Sequence, residues 1–223
     1  MSIAILCPTR AERKAGVDRL INSASETLVR VFVDDRDMMP TVQKWNDLSD
    51  YAMQDKSIKL FMLGSDDMYF DTPGWDKALL DHYNALENKI HVYHLQDSRD
   101  ENGTPHPIVT REYIEAMGYF VPPIFLHWQI DTWTVAIAKY NNVFTHMRDY
   151  LLIHDKPNDR GNPDETHSRI RQWGWHERDK YVNDKCQNFL EYEKARLGSI
   201  IHKKEGFIVP LKYPDPEKIW AAQ

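Results

Sequence analysis

Short apolar runs and helically spaced apolar residues alternate along the first half of the chain. The runs Ser2–Cys7, Thr27–Val33 and Leu60–Leu63 each end in polar or turn-forming residues: Pro8-Thr9-Arg10, Asp34-Asp35-Arg36-Asp37 and Gly64-Ser65-Asp66-Asp67. Runs of that length, apolar on both faces, are what buried strands of a parallel sheet require. Between them Ala15, Val17, Leu20, Ile21 and Ala24 recur at helical spacing, as do Val42, Trp45, Leu48 and Met53, and Pro40 stands where a helix opens. Strand, helix, strand, helix, strand predicts a parallel sheet with right-handed crossovers. Three strand ends then bring Thr9-Arg10, Asp34-Asp35 and Asp66-Asp67 to one edge, the edge where open α/β sheets bind ligands.

The pattern continues with a helix over Gly74–Asn88, apolar at Trp75, Leu79, Leu80, Tyr83 and Leu86, and a fourth strand over Lys89–Leu95. Gln96–Pro107 reads as a polar loop or hairpin, Thr110–Met117 as a short helix, and Asp131–Tyr140 as another helix. Pro122-Pro123 excludes a regular central strand over Tyr119–Phe125. A late strand, Tyr150–Ile153, ends at His154. Lys156–Glu165 has the composition of a mobile loop. Glu177–Leu197 predicts one long helix through Val182, Cys186, Phe189, Leu190 and Leu197, and the Pro-punctuated tail from Gly206 is expected to lie across the body. Residues 1–157 read as a core that is nucleotide-binding in outline, with 158–223 as a loop, long helix and tail packed on it in a single domain.

Composition narrows the function. The 223 residues are 42% hydrophobic and 12% aromatic, enough for a sizeable core. A net charge of −6 argues against broad electrostatic capture of nucleic acid. The two cysteines, Cys7 and Cys186, fall in a predicted buried strand and helix, which predicts reduced thiols and not a disulfide framework. No apolar run reaches the roughly 18 residues of a membrane span, and no basic segment precedes the first apolar stretch. A cytoplasmic location is the expectation.

Asp66 and Asp67, two carboxylates at a strand's carboxyl end, are hard oxygen ligands suited to Mg²⁺ or Mn²⁺ and, through the ion, to phosphate oxygens. The plainer reading is a turn with two solvated acids. Arg10 reads either as a phosphate-binding cation or as a surface partner of Glu12 or Asp35.

In element order and in four segments the chain resembles the nucleotide-sugar-dependent glycosyltransferases of the GT-A fold, in particular family-2-like and phage-encoded forms. The resemblance spans about Ser2 to Pro157. Pro8-Thr9-Arg10 is similar to the opening donor-site turn, and Asp34-Asp35 to the carboxylate that meets the uracil or ribose. Gly64-Ser65-Asp66-Asp67 stands in the place of the Asp-X-Asp metal motif, and His154 in that of the histidine that completes the metal shell. Phe70-Asp71-Thr72-Pro73-Gly74-Trp75-Asp76 also resembles phage members. One position departs from the pattern: Ser65 stands where the first Asp belongs. The resemblance therefore assigns the metal to Asp67 and His154 and leaves Asp66 for the ribose or a water.

The resemblance implies an α/β GT-A sheet, mostly parallel and flanked by helices, with a carboxyl-terminal helical extension. It implies a UDP-sugar donor, Mn²⁺ or Mg²⁺, and an inverting transfer to an acceptor hydroxyl on a glycan, a protein or a modified phage DNA base. Asp131 matches the family's catalytic carboxylate at a helix start and would take the acceptor proton; as an alternative it would cap that helix. His127 is a second base candidate or a packing residue beside Trp128, Trp173 and Trp175 are candidates for stacking on a sugar or for the core, and Arg169 and Arg171 for the diphosphate. Two other readings remain. A nucleotidyltransferase would want a Gly-rich loop after the first strand, which Pro8-Thr9-Arg10 lacks. A non-catalytic nucleotide- or glycan-binding module is favoured by Ser65.

Overall fold

The computed structural model describes residues 1–25, 27–99, 105–155 and 165–203, with Asp215, Glu217, Lys218 and Ala221 beyond them. Its centre is a seven-stranded sheet in the order β2-β1-β3-β6-β5-β7-β4. The strands are β1 (Ser2–Pro8), β2 (Val29–Asp34), β3 (Ile58–Leu63), β4 (Met68–Phe70), β5 (Val92–Asp97), β6 (Ile108–Thr110) and β7 (Phe144–His154). β1 pairs in parallel with β2 and β3, and β5 with β7. β6 is antiparallel to both β3 and β5, and β4 is antiparallel to β7. The sheet is thus parallel except for the two three-residue strands, neither of which the apolar pattern announces.

Alternation along the strands divides the core into two layers. On β1, Ile3, Ile5 and Cys7 pack with Leu60 and Met62 of β3 and with α1 (Lys14–Ser23) and α3 (Trp75–Ala85). Ala4 and Leu6 face the opposite layer with Phe61 and Leu63. That layer is closed by α2 (Thr41–Ala52), α4 (Arg111–Met117), α5 (Ile130–Tyr140), α7 (Trp175–Lys185) and α8 (Gln187–Ile201). Both cysteines are buried free thiols. Among the described residues no helix is long and apolar enough to cross a membrane.

The carboxyl-terminal helices differ from the expected single helix. α6 (Glu165–Gln172) precedes two helices that meet at Cys186, which is the last cap of α7 and the first of α8. The break lets Val182 and Leu190 reach the same apolar layer. α8 is tied to the body by buried polar groups: Glu193, 1% exposed, accepts from Tyr119 Oη at 2.6 Å and from Trp133 Nε1 at 2.9 Å. α7 holds the segment before α5. Asp179 is fully buried and accepts backbone N–H bonds from Leu126 (2.9 Å), His127 (2.7 Å) and Trp128 (2.7 Å). The expected loop at 156–164 and the tail from Gly206 lie outside the described residues, apart from the few positions named above.

Asp179→Ala leaves three backbone donors without their acceptor. A buried donor left unpaired costs about 1–3 kcal/mol, so the variant should lose about 3 kcal/mol or more in urea unfolding, whereas exposed Asp184→Ala should stay within about 0.5 kcal/mol of wild type.

Candidate active site

Backbone pairing draws the carboxyl ends of β1, β2 and β3 together. Thr9 N donates to Asp34 O at 2.9 Å, and Gly64 N donates to Leu6 O at 2.8 Å. Trp45 of α2 donates Nε1 to both Leu6 O (3.1 Å) and Gly64 O (3.2 Å), and buried Lys44 donates Nζ to Thr9 O at 3.1 Å. Gly64 must be glycine here: a Cβ would stand 2.8 Å from Leu6 O and 2.6 Å from Ile5 Cγ2. Gly16 does the same for α1, since a Cβ there would lie 2.0 Å from Asp66 O.

The adjacent carboxylates have different partners. Asp66 accepts from Thr9 Oγ1 at 2.5 Å and pairs with Arg13 Nη2 at 2.9 Å. Asp67 accepts from Ser65 Oγ, and its Oδ2 lies 3.5 Å from His154 Nε2. The antiparallel β4–β7 pairing makes this meeting possible by setting Met68 opposite His154. Behind His154 lies Asp97, 1% exposed, with Oδ2 at 3.5 Å from His154 Nδ1. Burial opposes the charge on both His154 and Asp67, but their mutual attraction prevails, helped by Asp97 for the histidine and by Ser65 for the aspartate. The His154 pKa rises to about 8 and that of Asp67 falls. Asp97 is likewise lowered against its burial by His154 and His106. His106, buried beside His154, falls to about 4 and is neutral.

Two cavities adjoin at Asp67. The first, about 230 Å³, is lined by Thr9, Arg10, Arg13, Arg36, Lys44 and Arg169 among its polar residues, with Met38, Trp173 and Trp175 on apolar walls. The second, about 440 Å³, holds His106, His127, Trp128, Asp131 and His154. Trp45, Ser65, Asp67 and His127 line both. Three of the five non-glycine residues with positive φ among those described, Met38, His106 and Gln129, line these cavities. Such backbone strain gathers where a site dictates the conformation.

Pro8, Thr9, Arg10, Asp66 and Asp67 line the first cavity, and Asp131, Asp67 and His154 the second. Arg10 also pairs with Glu12, so the two roles open to it are compatible. Asp34 is buried and clasped by Arg36, whose Nε donates at 2.9 Å, and it lines neither cavity. Asp35 is exposed and is not brought to either cavity; Arg36 and Asp37 are. Asp131 does not cap α5: that position belongs to Gln129, and Asp131 lies in the first turn, where the helix N-terminus favours a carboxylate. Arg171 is exposed and away from the cavity that Arg169 lines.

Arg13, Arg36, Lys44, Asp97 and His106 were invisible to the sequence reading as site residues. Lys44 carried no usable signal, since its neighbours at helical spacing, Pro40, Thr41, Asp47 and Leu48, mark no apolar face. The oxygen and imidazole groups of Asp67 and His154, with further buried polar atoms behind them, fit a divalent ion such as Mn²⁺.

No protein-family model matches the chain, and no curated protein matches it. Among solved structures, S. aureus TarS residues 1–349 superpose on 100% of this chain and 78% of their own at a TM-score of 0.50 and 13% identity. The same fragment in complex with UDP covers 100% of this chain and 70% of its own, again at 0.50, with 14% identity. A glycosyltransferase involved in glycosylation of the PBCV-1 major capsid covers 69% of this chain and 94% of its own at 0.47 and 11% identity. At these identities the likeness is one of fold, and the fold is GT-A type, as its resemblance to the nucleotide-sugar glycosyltransferases led us to expect.

The histidines give metal-free protein a stability maximum. A raised His154 contributes stability in full below its unfolded pKa of about 6.5, lost as pH rises through about 8. His106 and His91, both lowered to about 4 by burial, remove stability as pH falls from about 6.5 toward 4. Urea unfolding in EDTA should therefore peak near pH 6.5. His154→Gln should flatten the alkaline limb, worth about 2 kcal/mol, and leave the acid limb in place.

Proposed function

We propose that the protein is a glycosyltransferase that moves a sugar from a nucleoside-diphosphate sugar, with UDP as the nucleotide, to an acceptor hydroxyl with inversion. The observation that carries this reading is the junction at Asp67: a cation-lined cavity on one side, and on the other a cavity bearing the Asp131 carboxylate. A nucleoside diphosphate needs cations at its phosphates and flat apolar surface for its base. Arg13, Arg36, Lys44 and Arg169, with Met38 and the two tryptophans, are groups of those kinds.

Asp67 and His154 hold the divalent ion in this reading. When bound, that ion supplies Lewis-acid neutralisation of the charge that develops on the departing diphosphate. Thr9 and Arg13 keep Asp66 turned to the donor side, and Asp66 serves the ribose or a bound water. Arg13 and Lys44 add fixed positive charge in a cavity that shelters it from bulk water, where such charge counts most. Asp131 accepts the proton of the attacking hydroxyl. As the acceptor oxygen bonds to the anomeric carbon, the bond from that carbon to the phosphate oxygen breaks and its electron pair leaves with UDP. His127, bound to Thr41 Oγ1 at 2.9 Å, lines the boundary between the two cavities and orients the acceptor. The Ser65 hydroxyl, donating to Asp67, takes the place of the carboxylate that an Asp-X-Asp pattern would have there.

Thermal unfolding with nucleotide diphosphates tests the donor. At about 100 times its Kd a ligand stabilises the folded state by about 2.7 kcal/mol. For a chain of this size UDP with Mn²⁺ should thus raise Tm by about 5–10 °C, with little effect from UDP in EDTA. Absence of a shift with every nucleotide diphosphate would sink the donor reading. Asp131→Asn should keep the UDP shift and lower kcat for transfer by about 10²–10⁴-fold; a variant with undiminished turnover removes Asp131 from catalysis, and a protein that binds UDP but transfers no sugar is a binding module.

A further inference from the structure

Asp97 and His106 line no part of the donor cavity, His106 standing in the wall of the second, and have no part in the scheme above. Asp97 ends β5, where it pairs with Leu152 of β7, two residues before His154. His106 stands between Pro105 and Pro107 just ahead of β6, with φ of 53°, a left-handed conformation that turns this one residue out of the extended path. The His106 and His154 rings meet edge to face, 4.8 Å between centroids.

Three ligand-type atoms of this cluster are buried without a hydrogen bond among the described residues: Asp97 Oδ2, His106 Nε2 and His154 Nδ1. His106 Nδ1 lies 2.9 Å from Leu63 O. A carbonyl only accepts, so Nδ1 carries the hydrogen and Nε2 presents its bare lone pair. That Nε2 is buried and has no hydrogen-bond partner among the described residues. Asp97 Oδ1 accepts from Arg99 N at 2.8 Å, while Oδ2 is buried with no hydrogen-bond partner, having only the long 3.5 Å approach of His154 Nδ1. The His154 imidazolium, the positive neighbour of these acceptors, reaches Asp97 Oδ2 only at 3.5 Å, so both buried acceptors stay without a hydrogen bond, which is costly unless an electrophile sits there. One ligand atom from each of Asp97, His106 and His154 lies within 4.8 Å of the others. Ligands on a common ion at about 2.0–2.2 Å stand at most about 4.4 Å apart, so a contraction of a few tenths of an ångström completes a shell.

We propose that Asp97, His106 and His154 form a buried divalent transition-metal site that is filled whether or not a nucleotide is bound. It deepens the glycosyltransferase reading and rests on its assignment of His154 as a metal ligand. Two imidazoles and a carboxylate suit Mn²⁺, Zn²⁺ or Co²⁺ far better than Mg²⁺, which prefers oxygen and keeps its waters. Three protein ligands also hold an ion that a carboxylate and one histidine would bind firmly only with a donor diphosphate beside them.

Mn²⁺ titration of the full chain, followed by EPR without nucleotide, is the test. Wild type should bind one Mn²⁺ that excess Mg²⁺ does not displace, and pulsed EPR should resolve two coordinated imidazole nitrogens. Asp97→Asn and His106→Gln, checked for folding by circular dichroism, should each weaken Mn²⁺ at least tenfold. One nitrogen only, ready displacement by Mg²⁺, or unchanged affinity in both folded variants overturns the proposal. The pulsed EPR measurement uses wild type and so stands even if a variant fails to fold. UDP added to the same samples separates the two readings. A wild type that binds UDP but takes up Mn²⁺ only in its presence refutes the resident site and leaves the donor site intact. Mn²⁺ bound through two imidazoles with no UDP binding supports the resident site and refutes the donor.

Discussion

The register of β1 between two parallel neighbours is the constraint on which the rest depends. Pro8 stands opposite Asp34 on one side, and Leu6 opposite Leu63 on the other. Once those ladders form, Thr9, Asp34 and Gly64 have no freedom to be apart, and Asp66 follows three residues beyond the β3 end. Trp45 adds a lock from outside the sheet, because its single N–H serves two carbonyls, one from β1 and one just past β3. Glycine at 16 and 64 is the corollary. Helix and strand approach this edge so closely that a methyl group would collide with backbone oxygen.

The edge built this way concentrates buried charge. Asp34, Asp66, Asp97, Lys44 and His106 are each less than 9% exposed. An isolated buried ion is expensive, and pairing offsets that cost only where geometry is good. Here Asp34 has Arg36, and Asp66 has Thr9 and Arg13, so the donor side is well satisfied. The far side is not: orphaned atoms collect on Asp97, His106 and His154. Satisfaction on one side and want on the other is the physical asymmetry on which the proposed site at Asp97, His106 and His154 rests.

The carboxyl-terminal helices belong to the same economy of buried polar groups. Glu193 and Asp179 are acceptors for groups of the core that would otherwise be orphaned, and Asp179 fixes the backbone of 126–128 immediately ahead of α5. The wall carrying His127 and Trp128 is thereby set from a helix some fifty residues further along the chain.

Much of the architecture was legible in the sequence. Apolar runs on β1, β2 and β3, and helical spacing on α1, α2, α3 and α5, follow from periodicity, which a residue carries whatever its neighbours. The strand-end placement of Thr9, Arg10, Asp66 and Asp67 followed from the same rule. Met68–Phe70 and Ile108–Thr110 escaped because three residues hold no period; only ladders with β7, β3 and β5 make them strands. The break at Cys186 escaped because the apolar spacing runs through it unbroken. Asp35 looked equivalent to Asp34 until β2 turned one inward and left the other in solvent. What the sequence determined by itself was local: which segments are strands or helices, and which residues end them. Tertiary structure alone decided that Asp97 and His106 meet His154 and that Arg13 meets Asp66. Those meetings depend on strand order and register, which are set by long-range pairing and leave no trace in the spacing of residues along the chain.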